Sequence, residues 1–345
     1  MALTSTPACA IRAVCSSVPN RCFDNLRETT AFDPAEVDKV VKMAGVRTRH
    51  LASDKICSSD LCLAAAKRVL ERLQWAPDSI DALIFVTQTP DYFLPSTACL
   101  LQHWLGLSDR CAAFDVGLGC SGYPYGLWLA SMMLATGGLK RVLLLHGETP
   151  TRFSDQSDRA VALLFGDAGS ATAIEADPSA AGGRWWFSLH TDGSLWRDLI
   201  IEGGGFRDRT PADPRKHFVS MNGPSVFNFA IKRVPTLIED TLNGSGTSRE
   251  SIDYFILHQS NLFIMRHLAR KMKIPDTKIP LTIQRFGSAG GPSMPLTITQ
   301  GGLARPADRA LLLLLAGYGV GFSWGSALVG LRPDAVLDHL VLDHE

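Results

Sequence analysis

Three segments of this chain carry side chains with nucleophile and acid–base chemistry. Cys120 lies in Asp115-Val-Gly-Leu-Gly-Cys-Ser-Gly-Tyr, between a short apolar run and a small-residue stretch typical of a helix start. Unpaired N–H groups and the positive end of a helix dipole favour thiolate over thiol there, and the flanking glycines let a substrate approach the sulfur. We therefore expect Cys120 to be a nucleophile. The alternative is a buried cysteine that serves as a small hydrophobic residue.

The other two segments carry His258 and Ser288. His258 follows the apolar run Tyr254-Phe-Ile-Leu and precedes an amphipathic stretch. In an α/β sheet, catalytic side chains gather where strands end, because the loops there open onto a crevice. Ser288 lies in the glycine-rich loop Arg285-Phe-Gly-Ser-Ala-Gly-Gly, ahead of a predicted helix. For each segment taken alone, the alternatives are that His258 is a structural histidine and that the Ser288 loop is an ordinary turn.

The elements that must position these residues form an α/β pattern that occurs twice. Continuous apolar runs are typical of strands buried on both faces, and the helical stretches between them supply the crossovers. The run after Ser79 is matched by the run after Ser251, and the run after Lys140 by the run after Asp308. We predict two duplicated α/β halves, residues 1–176 with the cysteine and residues 177–345 with His258 and the Ser288 loop. The break is placed in the turn-rich stretch from residue 177 to residue 183.

Within the second half, residues 191–218 are rich in Gly, Asp, Arg and Pro. We expect this segment to pass over the mouth of the active site, before a helix over residues 225–242. A solvated surface loop is the alternative.

Together, the three segments resemble those of the thiolase-like condensing enzymes, specifically the β-ketoacyl-acyl carrier protein synthase III family. That family carries Cys in a small-residue turn, His in His-Gln-Ala-Asn, and Asn in Gly-Asn-Thr-Ser-Ala-Ala-Ser-Ile-Pro. Further matches, in the family's order, are Gly45-Val-Arg-Thr-Arg-His, Gly166-Asp-Ala-Gly-Ser-Ala and Gly317-Tyr-Gly-Val-Gly-Phe-Ser-Trp-Gly-Ser-Ala. The resemblance implies a thiolase-like fold with a layered αβαβα core, and a homodimer.

The resemblance also implies roles for individual residues. Cys120 would hold an acyl group, and the backbone N–H groups of Cys120 and Val320 would form the oxyanion hole. His258 and Ser288 would complete the catalytic set, although Ser288 stands where the family has asparagine, so enolate stabilisation and malonyl decarboxylation should weaken. Lys39 and Met43 stand where the family offers Trp and Arg to the adenine of coenzyme A. The residues expected to contact substrate are Arg159, Leu94, Asn261 and Phe263, with Leu94 as a gate to the partner's tunnel.

Composition excludes several other classes of protein. With 34 basic and 34 acidic residues in 345, no global field attracts nucleic acid or an anionic membrane. All eight cysteines lie in the first 120 residues, without the spacing of a zinc site or a Cys-x-x-Cys pair. No apolar run reaches the roughly 20 residues of a membrane helix, and the N-terminus does not resemble a secretory signal. We expect a cytoplasmic protein with neither a metal nor a cofactor.

These observations predict an acyltransferase. An acyl-Cys120 intermediate would form from an acyl thioester of coenzyme A or a carrier protein. Its acyl group would then pass to a carbon nucleophile, which is a β-keto or malonyl-type acceptor. The expected setting is secondary metabolism rather than housekeeping fatty-acid synthesis. Two alternatives remain open: an ester- or amide-forming acyltransferase that makes no carbon–carbon bond, and a non-catalytic partner subunit of a condensing enzyme.

Overall fold

The computed structural model describes residues 3–7, 9–177 and 183–343. The predicted break between the halves falls mostly on residues outside this part of the chain, and the division at 176/177 stays a prediction. The strands are β1 (Thr4–Pro7), β2 (Cys9–Pro19), β3 (Cys22–Asp24), β4 (Thr48–His50), β5 (Ala82–Val86), β6 (Ala112–Val116), β7 (Arg141–Glu148), β8 (Ala168–Ala176), β9 (Arg184–Thr191), β10 (Leu199–Ile200), β11 (Ser220–Met221), β12 (Tyr254–Leu257), β13 (Leu311–Gly319) and β14 (Ser323–Leu342).

Helices cover the sheet and separate its two parts. They are α1 (Asn25–Glu28), α2 (Pro34–Ala44), α3 (Ser58–Leu73), α4 (Thr97–Trp104), α5 (Gly122–Ala135), α6 (Arg159–Ala162), α7 (Gly223–Ser245), α8 (Leu262–Lys271), α9 (Ile283–Phe286) and α10 (Ser293–Gln300).

The same pairing pattern occurs in both parts of the sheet. In the first, β5 pairs β7 in parallel, β7 pairs β8 antiparallel, and β8 pairs β2 antiparallel. In the second, β12 pairs β13 in parallel, β13 pairs β14 antiparallel, and β14 pairs β9 antiparallel. The far end of β14 then pairs with β2 in parallel and joins the two parts. This is the repeated α/β pattern that the apolar runs predict.

The continuous apolar runs are buried on both faces, as expected. In β5, Leu83 and Phe85 pack with α3 and α4, whereas Ile84 and Val86 pack with α5. The residues of β13 alternate likewise between the α5–α10 side and the α7–α8 side. The layers are therefore helix, sheet, helix, sheet, helix, the αβαβα core of the thiolase fold, and the central layer holds α5 and α10.

Candidate active site

Cys120 occupies the junction that the sequence indicates. It lies between β6 and α5, with Ser121 as the residue that begins the helix. A Cβ atom on Gly319 would be 2.8 Å from the Cys120 Cβ and 2.9 Å from its Sγ, so the end of β13 lies directly against the side chain. The backbone N–H groups of Cys120 and Val320 act on the sulfur and lower its pKa. These are the two amides expected to form the oxyanion hole.

The resting form of Cys120 differs from the sequence expectation. Burial, and then the nearby Glu148 carboxyl, raise the pKa of the Cys120 thiol to about 12, which outweighs the effect of the two amides. The helix start is present, but Cys120 lies in a largely apolar cavity, where the cost of desolvating an anion exceeds what the dipole contributes. Cys120 is therefore a thiol at rest, and a base must take its proton.

His258 directly follows β12, and the structure brings it to the same site as Cys120. Gly290 lines the cavity that contains Cys120, and its backbone acts on the His258 ring. The ring of Tyr318 lies edge-on to that of His258, with centroids 5.5 Å apart, and the Cys120 sulfur adds to the rise in the Tyr318 pKa that burial causes. Cys120 and His258 thus share two neighbours from separate parts of the chain.

The imidazole of His258 is held in place by a serine. The Ser293 hydroxyl lies 3.0 Å from His258 Nδ1 and also accepts a hydrogen bond from the N–H of Gln259 at 3.2 Å. Burial lowers the pKa of His258 to about 4. The ring is therefore neutral at physiological pH, which suits it to accept a proton from the thiol.

The third predicted catalytic residue, Ser288, is buried next to Phe165, which lines the Cys120 cavity. It is buried, its N–H donates to the carbonyl of Leu164 at 2.9 Å, and its carbonyl accepts from the N–H of Gly166 at 3.2 Å. Phe165, which it adjoins through a β-bridge, lines the Cys120 cavity. Neither Ser288 nor His258 is among the described residues that line this cavity.

The cavity at Cys120 has a volume of about 390 Å³ and a largely apolar wall. Its polar members are Gln88 and Glu148. The Glu148 carboxyl accepts hydrogen bonds from the Gln88 N–H at 2.9 Å and from the Thr89 hydroxyl at 3.3 Å, and burial raises its pKa to about 8. The segment after Thr191 contributes the apolar wall that includes Trp196 and residues 199–201. The predicted excursion therefore covers the site rather than being a detached surface loop.

A second, larger groove of about 980 Å³ contains three of the four predicted substrate contacts, Arg159, Asn261 and Phe263. Leu164 lines the groove and Phe165 lines the Cys120 cavity, so the two spaces are neighbours. Lys39 and Met43 also line the groove.

Each of these three residues has a partner within the chain. Arg159 forms a half-exposed ion pair with Glu36 at 2.7 Å. Asn261 caps α8 by accepting from the N–H of Ile264 at 2.8 Å, and Phe263 stacks on Phe227 with centroids 5.4 Å apart.

Leu94, the fourth, is not brought to these residues. Its side chain is 86% exposed, next to the exposed Tyr92 and Phe93. It lines neither of the two cavities within the described part of the chain.

Comparisons with known proteins give the family. Residues 114–193 match the model of 3-oxoacyl-[acyl-carrier-protein (ACP)] synthase III, and residues 242–331 match that of its C-terminal part. The β-ketoacyl-[acyl-carrier-protein] synthase III of Xanthomonas axonopodis pv. citri is 34% identical over 318 residues, 91% of this chain and 95% of that protein. The chain belongs to the β-ketoacyl-[acyl-carrier-protein] synthase III family. It is accordingly a condensing acyltransferase.

Other synthase III proteins agree. That of Alkalilimnicola ehrlichii is 36% identical over 285 residues, covering 81% of this chain and 86% of that protein. The crystal structure of a 3-oxoacyl-(acyl-carrier protein) synthase from Burkholderia xenovorans LB400 superimposes with a TM-score of 0.94 at 40% identity, over 99% of both chains. The family and the thiolase-like fold predicted from the sequence are therefore confirmed.

Sequence reasoning missed two polar residues of the site, His146 and Glu148. Both lie at the end of β7, two positions apart, so their side chains leave the same face of the strand. A signal was available, because polar residues that end an apolar strand such as Val142-Leu-Leu-Leu lie where strands open onto a crevice. In the described part of the chain, no group of three or more His, Cys, Asp or Glu side chains is placed to hold a metal, and no helix is long and apolar enough to cross a membrane.

Proposed function

We propose that Cys120 takes an acyl group from a thioester and passes it to a carbon nucleophile, with His258 as the proton carrier. The observation that carries this proposal is the convergence at one sulfur of two backbone N–H groups, of Cys120 and Val320, beside a neutral imidazole. Positioned N–H groups are what a tetrahedral intermediate needs, and they are worth about 3 kcal/mol each in known oxyanion holes.

The first half-reaction follows from the resting protonation states. The Cys120 proton passes to His258, and the thiolate attacks the thioester carbonyl. The oxygen that becomes negative is held by the N–H groups of Cys120 and Val320. The intermediate collapses with loss of the carrier thiolate, which takes the proton back from His258. The acyl group remains on the Cys120 sulfur, and the imidazole is neutral again.

In the second half-reaction, His258 takes a proton from the acceptor carbon and the resulting carbanion attacks the acyl-Cys120 carbonyl. The Cys120 thiolate leaves and takes that proton from His258, so both groups return to their resting forms. With serine at position 288, the side-chain amide that the family places beside the histidine is replaced by a shorter hydroxyl. Malonyl decarboxylation should therefore be weak. We infer that the acceptor is a β-keto compound, whose carbanion forms more easily, and that the setting is a pathway of secondary metabolism.

The groove beside the cavity is the proposed route for the thioester arm. Arg159, Asn261 and Phe263 line it, and Phe263 and Met43 are exposed at its edge. Lys39 and Met43 offer no aromatic face to an adenine ring at the positions where the family has Trp and Arg, and a pantetheine arm on an acidic carrier protein is the proposed donor. Arg266 and Arg270 lie in the adjoining depression and supply positive charge for such a partner.

We further propose a homodimer in a reducing cytoplasm. Phe93 contacts Phe206, with ring centroids 5.7 Å apart, and these two side chains and Leu94 are 67%, 82% and 86% exposed. A cluster of large apolar side chains this exposed is typical of a protein interface. Light scattering on the purified protein would give twice the chain mass, and a monomer would contradict the proposal.

Mass spectrometry of the active-site peptide tests the catalytic proposal. Purified protein is incubated with acyl-CoA and acyl-carrier thioesters, then with malonyl and β-keto acceptors. The acyl mass should appear on the peptide that contains Cys120. It should be absent in C120A and unaffected in C99A, which removes an exposed cysteine.

The product then separates the remaining functions. A new carbon–carbon bond supports the proposal, whereas an ester or amide product assigns the other acyltransferase activity. Failure of every thioester to acylate the wild-type protein would favour a non-catalytic partner subunit.

A further inference from the structure

His146 is a fully buried histidine whose ring nitrogens have no partner in the part of the chain that the structure describes. Its side chain is 0% exposed, and neither ring nitrogen is hydrogen-bonded to any of the described residues. A neutral imidazole carries one donor and one acceptor nitrogen, and burying either without a partner costs stability. Buried polar groups left unsatisfied in this way are exceptions that call for an explanation, and a role in catalysis is one of them.

The ring lies between the nucleophile turn and the glycine loop. A Cβ atom on Gly291 would be 1.9 Å from His146 Cε1 and 2.2 Å from Nε2, and 2.5 Å from the carbonyl oxygen of Gly119. On the other side, a Cβ on Gly122 would be 3.1 Å from Cε1. The loop quoted above for the family has alanine where this chain has Gly291. The His146 imidazole fits here because Gly291 has no side chain.

The glycine loop links His146 to His258, because the His146 ring packs against Gly291 and the backbone of the adjacent Gly290 acts on the His258 ring. Burial, and then the charge of His258, lower the pKa of His146 to about 3. His146 is therefore neutral at physiological pH, as His258 is. A neutral ring with a free nitrogen lone pair can nevertheless orient that lone pair toward a positive charge that forms nearby.

We propose that His146 is a positioning residue whose unpartnered ring nitrogen stabilises the imidazolium that His258 becomes when Cys120 gives up its proton. The proton moves from the Cys120 sulfur to His258, and His146 neither gains nor loses one. The stability lost by burying the free nitrogen in the resting protein is offset when the charge appears. This inference rests on the proposed roles of Cys120 and His258.

The test compares thiol reactivity with stability in the intact protein. The rate at which iodoacetamide alkylates Cys120 is measured by peptide mass spectrometry at neutral pH, together with the melting temperature. H146L removes the ring nitrogens and fills similar space. We expect alkylation to slow about tenfold, the effect of one pKa unit, while the melting temperature stays equal or rises. H146N, which keeps an acceptor, should recover part of the rate.

A control variant keeps the result interpretable. Tyr123 stacks on the His146 ring, and its hydroxyl pairs with that of Thr172, so Y123F alters a neighbour of the ring and should leave the alkylation rate unchanged.

Equal rates in wild type and H146L would overturn the inference. So would a fall in both rate and melting temperature in H146L, because that is the behaviour of a space-filling side chain. A wild-type Cys120 that neither alkylates nor acylates would instead refute the proposed function itself.

Discussion

Gly319→Ala offers the sharpest test of where the nucleophile lies. The added methyl group would be 2.8 Å from the Cys120 Cβ and 2.9 Å from Sγ, whereas ordinary contacts of this kind are 3.4–4 Å. The cysteine side chain is short and its backbone begins α5, so it cannot swing away as a long side chain would. The sulfur must move by roughly the missing distance, about 0.5–1 Å. Misplacing a reacting atom by that much costs about a hundredfold in rate.

The assay is the rate of acyl transfer to Cys120, followed by quenching and mass spectrometry of the active-site peptide. G319A should acylate about a hundredfold more slowly than wild type and should melt at a lower temperature, because overpacking a tight site costs about 1–3 kcal/mol. Gly330→Ala is the matched control, since its methyl group would meet only Ala310 Cβ at 3.9 Å.

A G319A protein that acylates at the wild-type rate would refute the geometry, because no arrangement of Cys120 against the end of β13 leaves room for that methyl group. A G330A protein that is equally slow would show that the loss is not specific to the nucleophile.

Three further predictions concern the side chains around the site. Ser288→Asn should raise malonyl decarboxylation about a hundredfold by restoring the amide that the family uses, and unchanged carbon dioxide release would show that the loop holds position 288 too far from the substrate. Because burial raises the pKa of Glu148 from its ordinary 4.5 to about 8, the unfolded chain ionises first as pH rises, so the folded state loses up to about 5 kcal/mol between those pH values. Glu148→Gln should remove this loss, so the difference in unfolding free energy between wild type and E148Q should grow with pH over that window. The double variant K39W/M43R supplies an aromatic face and a cation for the adenine end of coenzyme A. It should therefore raise kcat/KM for acyl-CoA about tenfold relative to an acyl-pantetheine. Equal gains with both substrates would contradict this.

The fold was predictable because its strands are buried on both faces. Runs such as residues 82–86 and 311–316 leave no polar face, which only the inner strands of a layered α/β protein tolerate. His258 was predictable for the same reason, since the polar residue that ends such a strand lies at the open edge of the sheet. Periodicity and turn residues thus determine which side chains reach the crevice.

The protonation state of Cys120 could not be predicted from its local sequence. The small residues and helix start favour a thiolate, but the depth of burial depends on Gly319 and on Glu148, which are remote in sequence. The position of Ser288 was equally inaccessible. The match of Ser288 to a family motif does not predict the β-bridge between Ser288 and Phe165.

The packing of His146 could not be predicted from its local sequence either. Its place at the end of β7 indicates a crevice, but its fit against Gly291 joins residues 145 positions apart in sequence, and no local pattern records that pairing. Only the packing of the glycine loop onto the strand end brings them together.

The two catalytic groups are both neutral at rest, and this constrains how the reaction begins. Burial raises the pKa of the Cys120 thiol and lowers that of His258, so the charged pair is disfavoured on both sides until something compensates it. An incoming thioester provides that compensation, because its carbonyl oxygen takes up the negative charge between the two backbone N–H groups as the sulfur attacks. Proton transfer and attack should therefore be coupled, and a free thiolate should not accumulate. Such a site slows oxidation and alkylation of its cysteine while no acyl donor is bound, since thiols react far more slowly than thiolates. The apolar cavity that makes Cys120 a poor acid at rest thus also keeps its sulfur slow to react until the substrate binds.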